Sequence, residues 1–266
     1  MTTSTHRQRN SPKPGLPFNI EDQMTKSSLQ STRTVLESGF KIMPGKEDGF
    51  ARFNDALHPV AVSQDGFESV YGGEILDSAW RYVGVRFASA EQMDAWHNHP
   101  RHKAAQKAAY DRWWTAVYMR KWREPAPGET MTGKVMTETR LTVPIPLADA
   151  QLRALTEILT CLADIGASPL ETLTGEYEAL PYQLIGPNSA TPETGGVFYL
   201  LITHWPAPQA AAAWQESTAY QALRDIGDVT SDTFMAMPET RPRDHLRDDK
   251  LQREWTLQGH KQAITP

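Results

Sequence analysis

Three histidines follow a tryptophan within one short segment, Trp96-His-Asn-His-Pro-Arg-His. Imidazole changes charge near neutral pH, so a histidine beside a pocket can accept a proton from a bound substrate. Imidazole is also a common ligand of zinc and other transition metals. The segment therefore offers two kinds of chemistry, general base catalysis and metal binding.

A metal site would draw on His99 and His102, which are three residues apart, with His97 nearby. Two imidazoles at that spacing can share one ion on a regular helix. Pro100 lies between them and disturbs the helical register, and no carboxylate has the spacing of a recognised metal motif. We therefore expect no metal and keep the two-imidazole site as an alternative.

The flanking sequence predicts the elements that hold this segment. Residues 79–87 form a predicted strand in which both alternating sets contain large apolar side chains, so we expect both of its faces to be covered. Ser89 and Gln92 have the spacing of a capping box, which would begin a helix that carries Trp96. Pro100 has no N–H to donate and should kink or restart that helix.

The composition excludes several kinds of partner. The chain has 266 residues, a net charge of −5 and a pI near 5.9, which gives no long-range attraction for nucleic acid or an anionic membrane. The longest apolar run, at 196–202, is much shorter than the roughly 18 to 20 residues that span a bilayer. No apolar segment follows the basic N-terminus, so we expect no secretory signal and a cytoplasmic location.

Cys161 is the only cysteine, so no internal disulfide can form. It lies among Ile158, Leu159 and Leu162, where a thiol packs as a small hydrophobic group. No neighbour in the sequence would activate it, so we do not expect a nucleophile here.

Residues 31–123 and 137–238 are predicted to be two copies of one unit, joined by a linker at 124–136. Each copy has the predicted order strand, helix, strand, strand, helix, strand, and the first helix is expected at 47–57 and ended by Pro59. Matching residues recur at offsets of 102, 103 and 118: Phe50 with Leu152, Phe67 with Leu170, and Trp96 with Trp214. The offsets place the second strand of the second copy at 170–180 and about 15 extra residues in the loop after it, around 185–196.

The two ends of the chain, 1–30 and 239–266, contain few large apolar side chains. Such segments bury too little surface to offset the entropy of ordering. We predict a tail or arm at the N-terminus and a charged tail with a short helix at the C-terminus.

The predicted fold class is α+β. A four-stranded antiparallel sheet with helices on one face leaves its other face in need of cover. Two ferredoxin-like βαββαβ units in one chain can pack those faces together, which would give an internal barrel.

One segment resembles a known family. The run Phe87-Ala-Ser-Ala-Glu-Gln-Met-Asp-Ala-Trp-His-Asn-His-Pro-Arg-His is similar to the antibiotic-biosynthesis monooxygenase family of dimeric α+β barrels. The resemblance covers the first unit. The second unit keeps Trp214 but has Thr218-Ala-Tyr where the first has Pro100-Arg-His, so its assignment depends on the internal repeat.

The resemblance implies a pocket between the helices and the sheet of each unit. Several members of the family oxidise phenolic or quinol-like substrates with O₂ and no cofactor, while others degrade haem or handle small quinones. We therefore expect a small aromatic substrate, O₂ as the second substrate, no cofactor, and a chain that can form a homo-oligomer.

Cofactor-free oxygenation needs a base, a group that stabilises the substrate anion, and aromatic walls. The expected base is His99 or His102, and the expected anion stabiliser is Arg86. The expected substrate-binding residues are Trp96, Tyr82 and Tyr110 in the first unit, and Trp214 and His204 in the second.

Each of these residues also has a structural interpretation. Trp96 can be a core anchor, His99 can cap the helix that starts at Pro100, and His102 can lie on a solvated face. Arg86 can form an ordinary ion pair with Glu68 or Glu74.

Haem binding is less expected than cofactor-free chemistry. The haem-degrading relatives have a ligating histidine ten residues after the tryptophan, and the matching residues here are Gln106 and Arg224. Haem would need another ligand such as His58 or His204. Two alternatives to catalysis stay open: a non-catalytic protein that binds a small molecule or haem, and a purely structural barrel.

Overall fold

The structure is a computed structural model that describes residues 32–168, 181–189, 195–237 and the short strand at 245–246. The predicted N-terminal tail, nearly all of the predicted C-terminal tail and the strand predicted at 170–180 lie outside these residues. Within them the chain is a mixed α+β structure, as predicted, in which paired strands run antiparallel.

The strands in chain order are β1 Thr34–Ile42, β2 Phe67–Glu74, β3 Trp80–Phe87, β4 Trp114–Arg123, β5 Val135–Val143, β6 Tyr182–Ser189, β7 Val197–Trp205, β8 Asp228–Ala236 and β9 His245–Leu246. The helices are α1 Glu47–Val62, α2 Ala90–Asn98, α3 Pro100–Arg112, α4 Asp149–Leu159, α5 Leu162–Ile165, α6 Pro208–Gln215 and α7 Thr218–Ile226.

The described strands belong to one sheet with the order β2-β3-β1-β4-β8-β5-β7-β6, and β9 lies beside β4. The first half of the chain contributes β2-β3-β1-β4, and the second contributes β6-β7-β5-β8, which is the same order. The halves join where Trp122 of β4 pairs with Ala236 of β8. At the other end of the order, the backbone N–H of Leu76 donates to the carbonyl oxygen of Leu184 in β6 at 2.8 Å, so the two edge strands also touch.

The sheet has two faces because successive side chains of a strand point to opposite sides. On one face, Val85 and Phe87 of β3 pack against Met93 and Trp96 of α2. On the other, Trp80 and the alternating residues of β3 join a cluster drawn from both halves, which we call the shared cluster: Val35, Ile75, Trp80, Tyr82, Ala116, Tyr118, Trp122, Met136, Ile185, Phe198, Leu200, Ile202 and Phe234. The cover predicted for both faces of β3 is confirmed.

The helical breaks recur in the two halves. Pro100 restarts the helix as predicted, since α2 ends at Asn98 and α3 begins at Pro100. The helix predicted over 208–226 is likewise divided into α6 and α7, and Ser217 caps α7. Each break comes three residues after the tryptophan of its half.

The expectation that Pro59 ends the first helix is wrong, because α1 continues to Val62. Val60 and Ala61 are buried in the same cluster as Trp96. Their packing stabilises a last turn that Pro59 weakens by its missing N–H.

The loop predicted around 185–196 is also corrected, because its first part is the strand β6. β6 begins 115 residues after β2 (Phe67 to Tyr182), so most of the extra residues of the second half precede this strand rather than follow it. Gly186 and Pro187 fit into β6 because its register against β7 shifts between Ile185 and Asn188. Proline is tolerated at such an irregularity and in an edge strand of the sheet.

No helix within the described residues is long and apolar enough to cross a membrane.

Gly39 tests how closely the shared cluster is packed. A methyl group added to Gly39 in β1 would overlap the ring of Tyr118, which lies opposite it on β4. Gly39→Ala should lower the free energy of unfolding by about 2 kcal/mol, because a buried strand position cannot accept the extra volume. The measurement is urea unfolding of both proteins. In a Tyr118→Leu background the same substitution should cost clearly less, and an equal cost in both backgrounds would contradict the overlap.

Candidate functional site

Trp96 is fixed by the helix that carries it. The Ser89 hydroxyl accepts a hydrogen bond from the Gln92 backbone N–H at 3.2 Å and caps the start of α2, as the Ser89–Gln92 spacing predicts. Met93 and Trp96 then lie on the buried side of this helix, against the sheet. Trp96 is thus a core anchor, and one side of its ring system remains for contacts with α3.

His99 has a structural role at the start of α3. Its Nδ1 accepts a hydrogen bond from the Arg101 backbone N–H at 3.3 Å. In the second half, Ser217 holds the matching position and its hydroxyl accepts from the Tyr220 backbone N–H at 3.1 Å. A histidine therefore serves here as a helix cap, the structural role expected as an alternative to catalysis, and its Nε2 carries the proton of the neutral ring.

His102 stacks on Trp96, with 4.1 Å between ring centroids and 10° between ring planes. Its Nδ1 lies 3.1 Å from the Trp96 carbonyl oxygen, and its Nε2 lies 3.3 Å from the Gln106 amide nitrogen. A carbonyl oxygen can only accept, so Nδ1 carries the proton and the Nε2 lone pair accepts from Gln106.

The charge state of His102 follows from its burial. Desolvation disfavours the imidazolium and lowers the pKa of His102 to about 4, and the neighbouring His99 acts in the same direction. The hydrogen bond to the Trp96 carbonyl opposes this shift without cancelling it. At neutral pH the ring is therefore an uncharged base with its lone pair on Nε2.

His97 completes the histidine group, and its ring meets that of His102 edge-on with 5.6 Å between centroids. In the part of the chain that the structure describes, no three His, Cys, Asp or Glu side chains are grouped so that they could hold a metal ion. Gln106, ten residues after Trp96, is hydrogen-bonded to His102.

The second half has a different group at the same place. Trp214 meets Tyr220 edge-on with 5.4 Å between centroids, and Tyr220 takes the position of His102. The Tyr220 hydroxyl lies 2.8 Å from the Ser231 hydroxyl, and the Arg224 guanidinium lies over the Tyr220 ring. This half therefore keeps the tryptophan but has no imidazole base beside it.

Arg86 does not join the histidines. It lies in β3 between Val85 and Phe87, which face α2, so its side chain points to the opposite side of the sheet. There it forms a close ion pair with Glu138 of β5, and the Tyr82 hydroxyl donates to the other oxygen of Glu138 at 3.2 Å. The expected pocket that combines Arg86 and Tyr82 with His102 is therefore not formed, and the partner of Arg86 is neither Glu68 nor Glu74.

His204 has the matching environment in the other half. Its Nε2 lies 3.0 Å from Glu37 Oε2, and the Trp122 indole N–H donates to the same oxygen at 2.6 Å. Glu37 and Glu138 hold equivalent positions in β1 and β5. Each is thus paired with a residue of the opposite half, and we call Arg86–Glu138 and His204–Glu37 the crossed pairs.

Burial and charge at the crossed pairs shift two pKa values. Burial raises the pKa of Tyr82 well above its usual range, and the negative charges of Glu138 and Glu37 add to the shift, so the phenol stays a donor. Burial also disfavours the Arg86 cation, but Glu138 outweighs it and the net pKa of Arg86 is raised.

Sequence reasoning missed Tyr71 and Arg140. The Arg86 Cζ lies 4.3 Å and the Arg140 Cζ 4.5 Å from the centroid of the Tyr71 ring. Burial alone would raise the pKa of Tyr71, but the hydrogen bond and charge of Arg140, the hydrogen bond of Ser69 and the charge of Arg86 lower it on balance. The sequence did contain one signal of a buried polar group on this face. Glu37 and Glu138 are acidic residues at one position of the repeat, in strands that are otherwise buried.

Three predicted substrate-binding residues remain: Tyr110, Trp214 and His204. Tyr110 lies in α3, and its side chain is outside the described residues. Trp214 is fully buried between α6 and the sheet, whereas His204 belongs to the other face, so these two do not share a site either.

No protein-family model matches the chain, and no curated protein matches it. Among solved structures, an anthrone oxidase-like protein is 14% identical over 82% of this chain and 94% of its own, with a TM-score of 0.33. A proposed monooxygenase of Fusobacterium nucleatum is 7% identical over 82% and 95%, with a TM-score of 0.35. An aldoxime dehydratase in complex with butyraldoxime is 9% identical over 79% and 80%, with a TM-score of 0.47. Likeness of this extent carries no conclusion about activity, which we argue from side chains.

The pKa of His102 predicts an acid-sensitive fold. The unfolded imidazole binds a proton as the pH falls below about 6.5, whereas the folded one does so only near 4, so the stability present above pH 6.5 is lost on acidification. Between pH 7 and pH 4.5, His102 should account for about 2 kcal/mol of lost unfolding free energy. Urea unfolding across this range should show a steeper loss for the wild type than for His102→Gln. Equal slopes would mean that folding does not lower the pKa of His102.

The crossed pair Arg86–Glu138 predicts a large effect on stability. Glu138→Gln leaves Arg86 buried without its counter-charge and should lower the unfolding free energy by about 3 kcal/mol. Glu74→Gln breaks the exposed pair with Arg81 on the neighbouring strands and should cost less than about 0.5 kcal/mol. The double variant Arg86→Met/Glu138→Gln should recover part of the loss. Similar costs for Glu138→Gln and Glu74→Gln would contradict the buried pair.

Proposed function

We propose that this chain oxidises a small phenolic or quinol-type aromatic compound with O₂ and without a bound cofactor, as a monooxygenase-like enzyme. The reaction would take place in the first half, on the helical face of the sheet beside Trp96 and His102. The observation that carries the proposal is the single Nε2 lone pair of a neutral, half-buried imidazole that is held in one tautomer against an indole ring.

We further propose that the two halves are fused ferredoxin-like units whose sheets form a dimeric α+β barrel. The shared strand order of the halves supports this, as does the contact between their edge strands at Leu76 and Leu184. The cluster that both halves contribute would then be the barrel interior. The resemblance to the antibiotic-biosynthesis monooxygenases depends on the residues around Trp96.

His102 would act as the general base. The Gln106 amide that now donates to Nε2 would turn away, and the substrate hydroxyl would donate in its place. Trp96 would provide the wall against which the substrate ring lies. Since Arg86 is on the other face, the Gln106 amide and the Nε2–H of His99 are the donors that could stabilise the substrate oxyanion.

A base as weak as His102 is compatible with turnover. Proton transfer from a phenol of pKa about 10 to an imidazole of pKa about 4 is uphill by about 8 kcal/mol. A turnover of one per second corresponds to a barrier of about 17 kcal/mol, so such a step leaves room for the reaction with oxygen. More acidic phenols reduce this cost and are the favoured substrates.

The reaction balances without another reductant. The substrate anion would give one electron to O₂, the resulting radical and superoxide would combine at a ring carbon that bears hydrogen, and the hydroperoxide would lose water to form a carbonyl. The imidazolium of His102 would return its proton to the peroxide before water leaves. Phenol and O₂ thus give quinone and water, with one atom of O₂ in the new carbonyl and the other in the water.

A second candidate function is non-catalytic binding of a small aromatic molecule. It is favoured by the structural contacts of both histidines, since His99 caps α3 and both ring nitrogens of His102 are hydrogen-bonded. Saturable binding of a phenol without oxygen consumption would identify this function.

Oxygen consumption by the wild type should depend on His102. With a phenol that stays protonated at the assay pH as substrate, His102→Gln should lower kcat/KM at least about 100-fold, because the base is removed. The matched control is His58→Gln, which changes an exposed histidine of α1 and should leave kcat/KM unchanged. An oxygen electrode measures the rate, and mass spectrometry with ¹⁸O₂ detects the incorporated atom.

The pH profile gives an independent readout. Since His102 must be neutral, kcat/KM should fall on the acid side with a midpoint near its pKa of about 4. A midpoint near 6.5 would assign the base to an ordinary exposed histidine, and an unchanged rate in His102→Gln would reject the role of His102.

A further inference from the structure

We propose that the face of the sheet opposite the histidines holds a second site, formed by Tyr71, Arg86 and Arg140, that binds a small carboxylate anion with an aromatic ring. This site is separate from the oxidation proposed beside His102, because the sheet lies between them. The inference does not depend on that reaction.

The first argument is an unused donor. Arg86 is only 6% exposed, and its Nη2 is bound to Glu138. Its Nη1 is buried and has no hydrogen-bond partner among the residues that the structure describes. Buried polar groups are almost always hydrogen-bonded, so an orphaned guanidinium nitrogen marks a missing acceptor.

The second argument is the balance of charge. Glu138 balances Arg86, whereas no carboxylate of the described residues forms an ion pair with Arg140. The group formed by Tyr71, Arg86, Arg140 and Glu138 therefore has a net charge of +1 when the phenol is neutral. One monovalent anion would neutralise it.

The third argument is the orientation of the guanidiniums. Arg86 and Arg140 lie 4.3 and 4.5 Å from the centroid of the Tyr71 ring, and Arg140 lies 4.7 Å from that of Phe198. A guanidinium that contacts an aromatic face keeps its N–H groups in its own plane, where they remain able to donate. Arg140 also donates a hydrogen bond to the Tyr71 hydroxyl, which leaves its other N–H donors for a carboxylate.

The aromatic rings, and the partial exposure of Tyr71 and Arg140, define the rest of the ligand. Tyr71 and Phe198 meet edge-on with 5.4 Å between centroids, and they provide apolar surface next to the cations. Tyr71 and Arg140 are only partly buried, whereas Arg86 lies beneath them. A carboxylate would therefore reach Arg86 from the side of Tyr71 and leave its own ring against these aromatics.

The test is a calorimetric titration of the purified full-length protein with benzoate at neutral pH. We expect one saturable site, no binding of the neutral isostere benzamide, and at least a tenfold loss of affinity in Arg140→Gln. Arg140 is chosen because it forms no ion pair with any described residue, so the variant should fold. The matched control is Arg153→Gln, which changes an exposed arginine of α4 and should bind as the wild type does.

A second readout uses Tyr71. The two guanidiniums lower the pKa of Tyr71, so a bound anion should raise that pKa again, and ultraviolet titration should detect a benzoate-dependent shift that is absent in Tyr71→Phe. Equal affinity in Arg140→Gln and Arg153→Gln would overturn the proposal. So would equal binding of benzamide and benzoate, or no saturable binding of benzoate, which would leave water as the partner of Arg86.

Discussion

Two buried carboxylates set the relation between the halves of this protein. Glu37 and Glu138 hold the same position in the first strand of each half, and each takes its partner, His204 or Arg86, from the third strand of the opposite half. A buried carboxylate that loses its partner costs several kcal/mol. Glu138 depends on Arg86 of the opposite half, and Glu37 depends on His204 of the opposite half together with Trp122 of its own. The apolar residues of the shared cluster supply most of the burial, while the crossed pairs specify which strands must face each other.

The same constraint divides the chemistry of the first half. In β3 the Arg86 side chain points toward Glu138, whereas the adjacent Val85 and Phe87 point toward Trp96, because alternate side chains leave a strand on opposite faces. A cation needed by the buried glutamate is therefore unavailable to a substrate beside His102. The donor that contacts His102 Nε2 is the uncharged Gln106 amide, which favours substrates that are already acidic.

Patterns of local origin were predictable from the sequence, and long-range partners were not. The Ser89 cap, the restart at Pro100 and the element order of the first half follow from spacing and propensity. β6 was missed because Gly186 and Pro187 resemble a loop, and only the shifted register at the sheet edge accepts them. Both faces of β3 carry large apolar side chains, so alternation alone could group Arg86 with Tyr82 but could not tell which face meets the helices.

Differences between the two halves, more than their common features, point to the reactive residues. Ser217 caps a helix where His99 does, so the Nδ1 of His99 has a structural role. Tyr220 holds the position equivalent to His102, and its hydroxyl lies beside the Ser231 hydroxyl. His102 instead stacks on Trp96 and keeps a basic lone pair. Since both arrangements support the same helix and the same tryptophan, folding does not require an imidazole at position 102. The imidazole at position 102 is therefore where we propose that the first half binds or transforms a substrate.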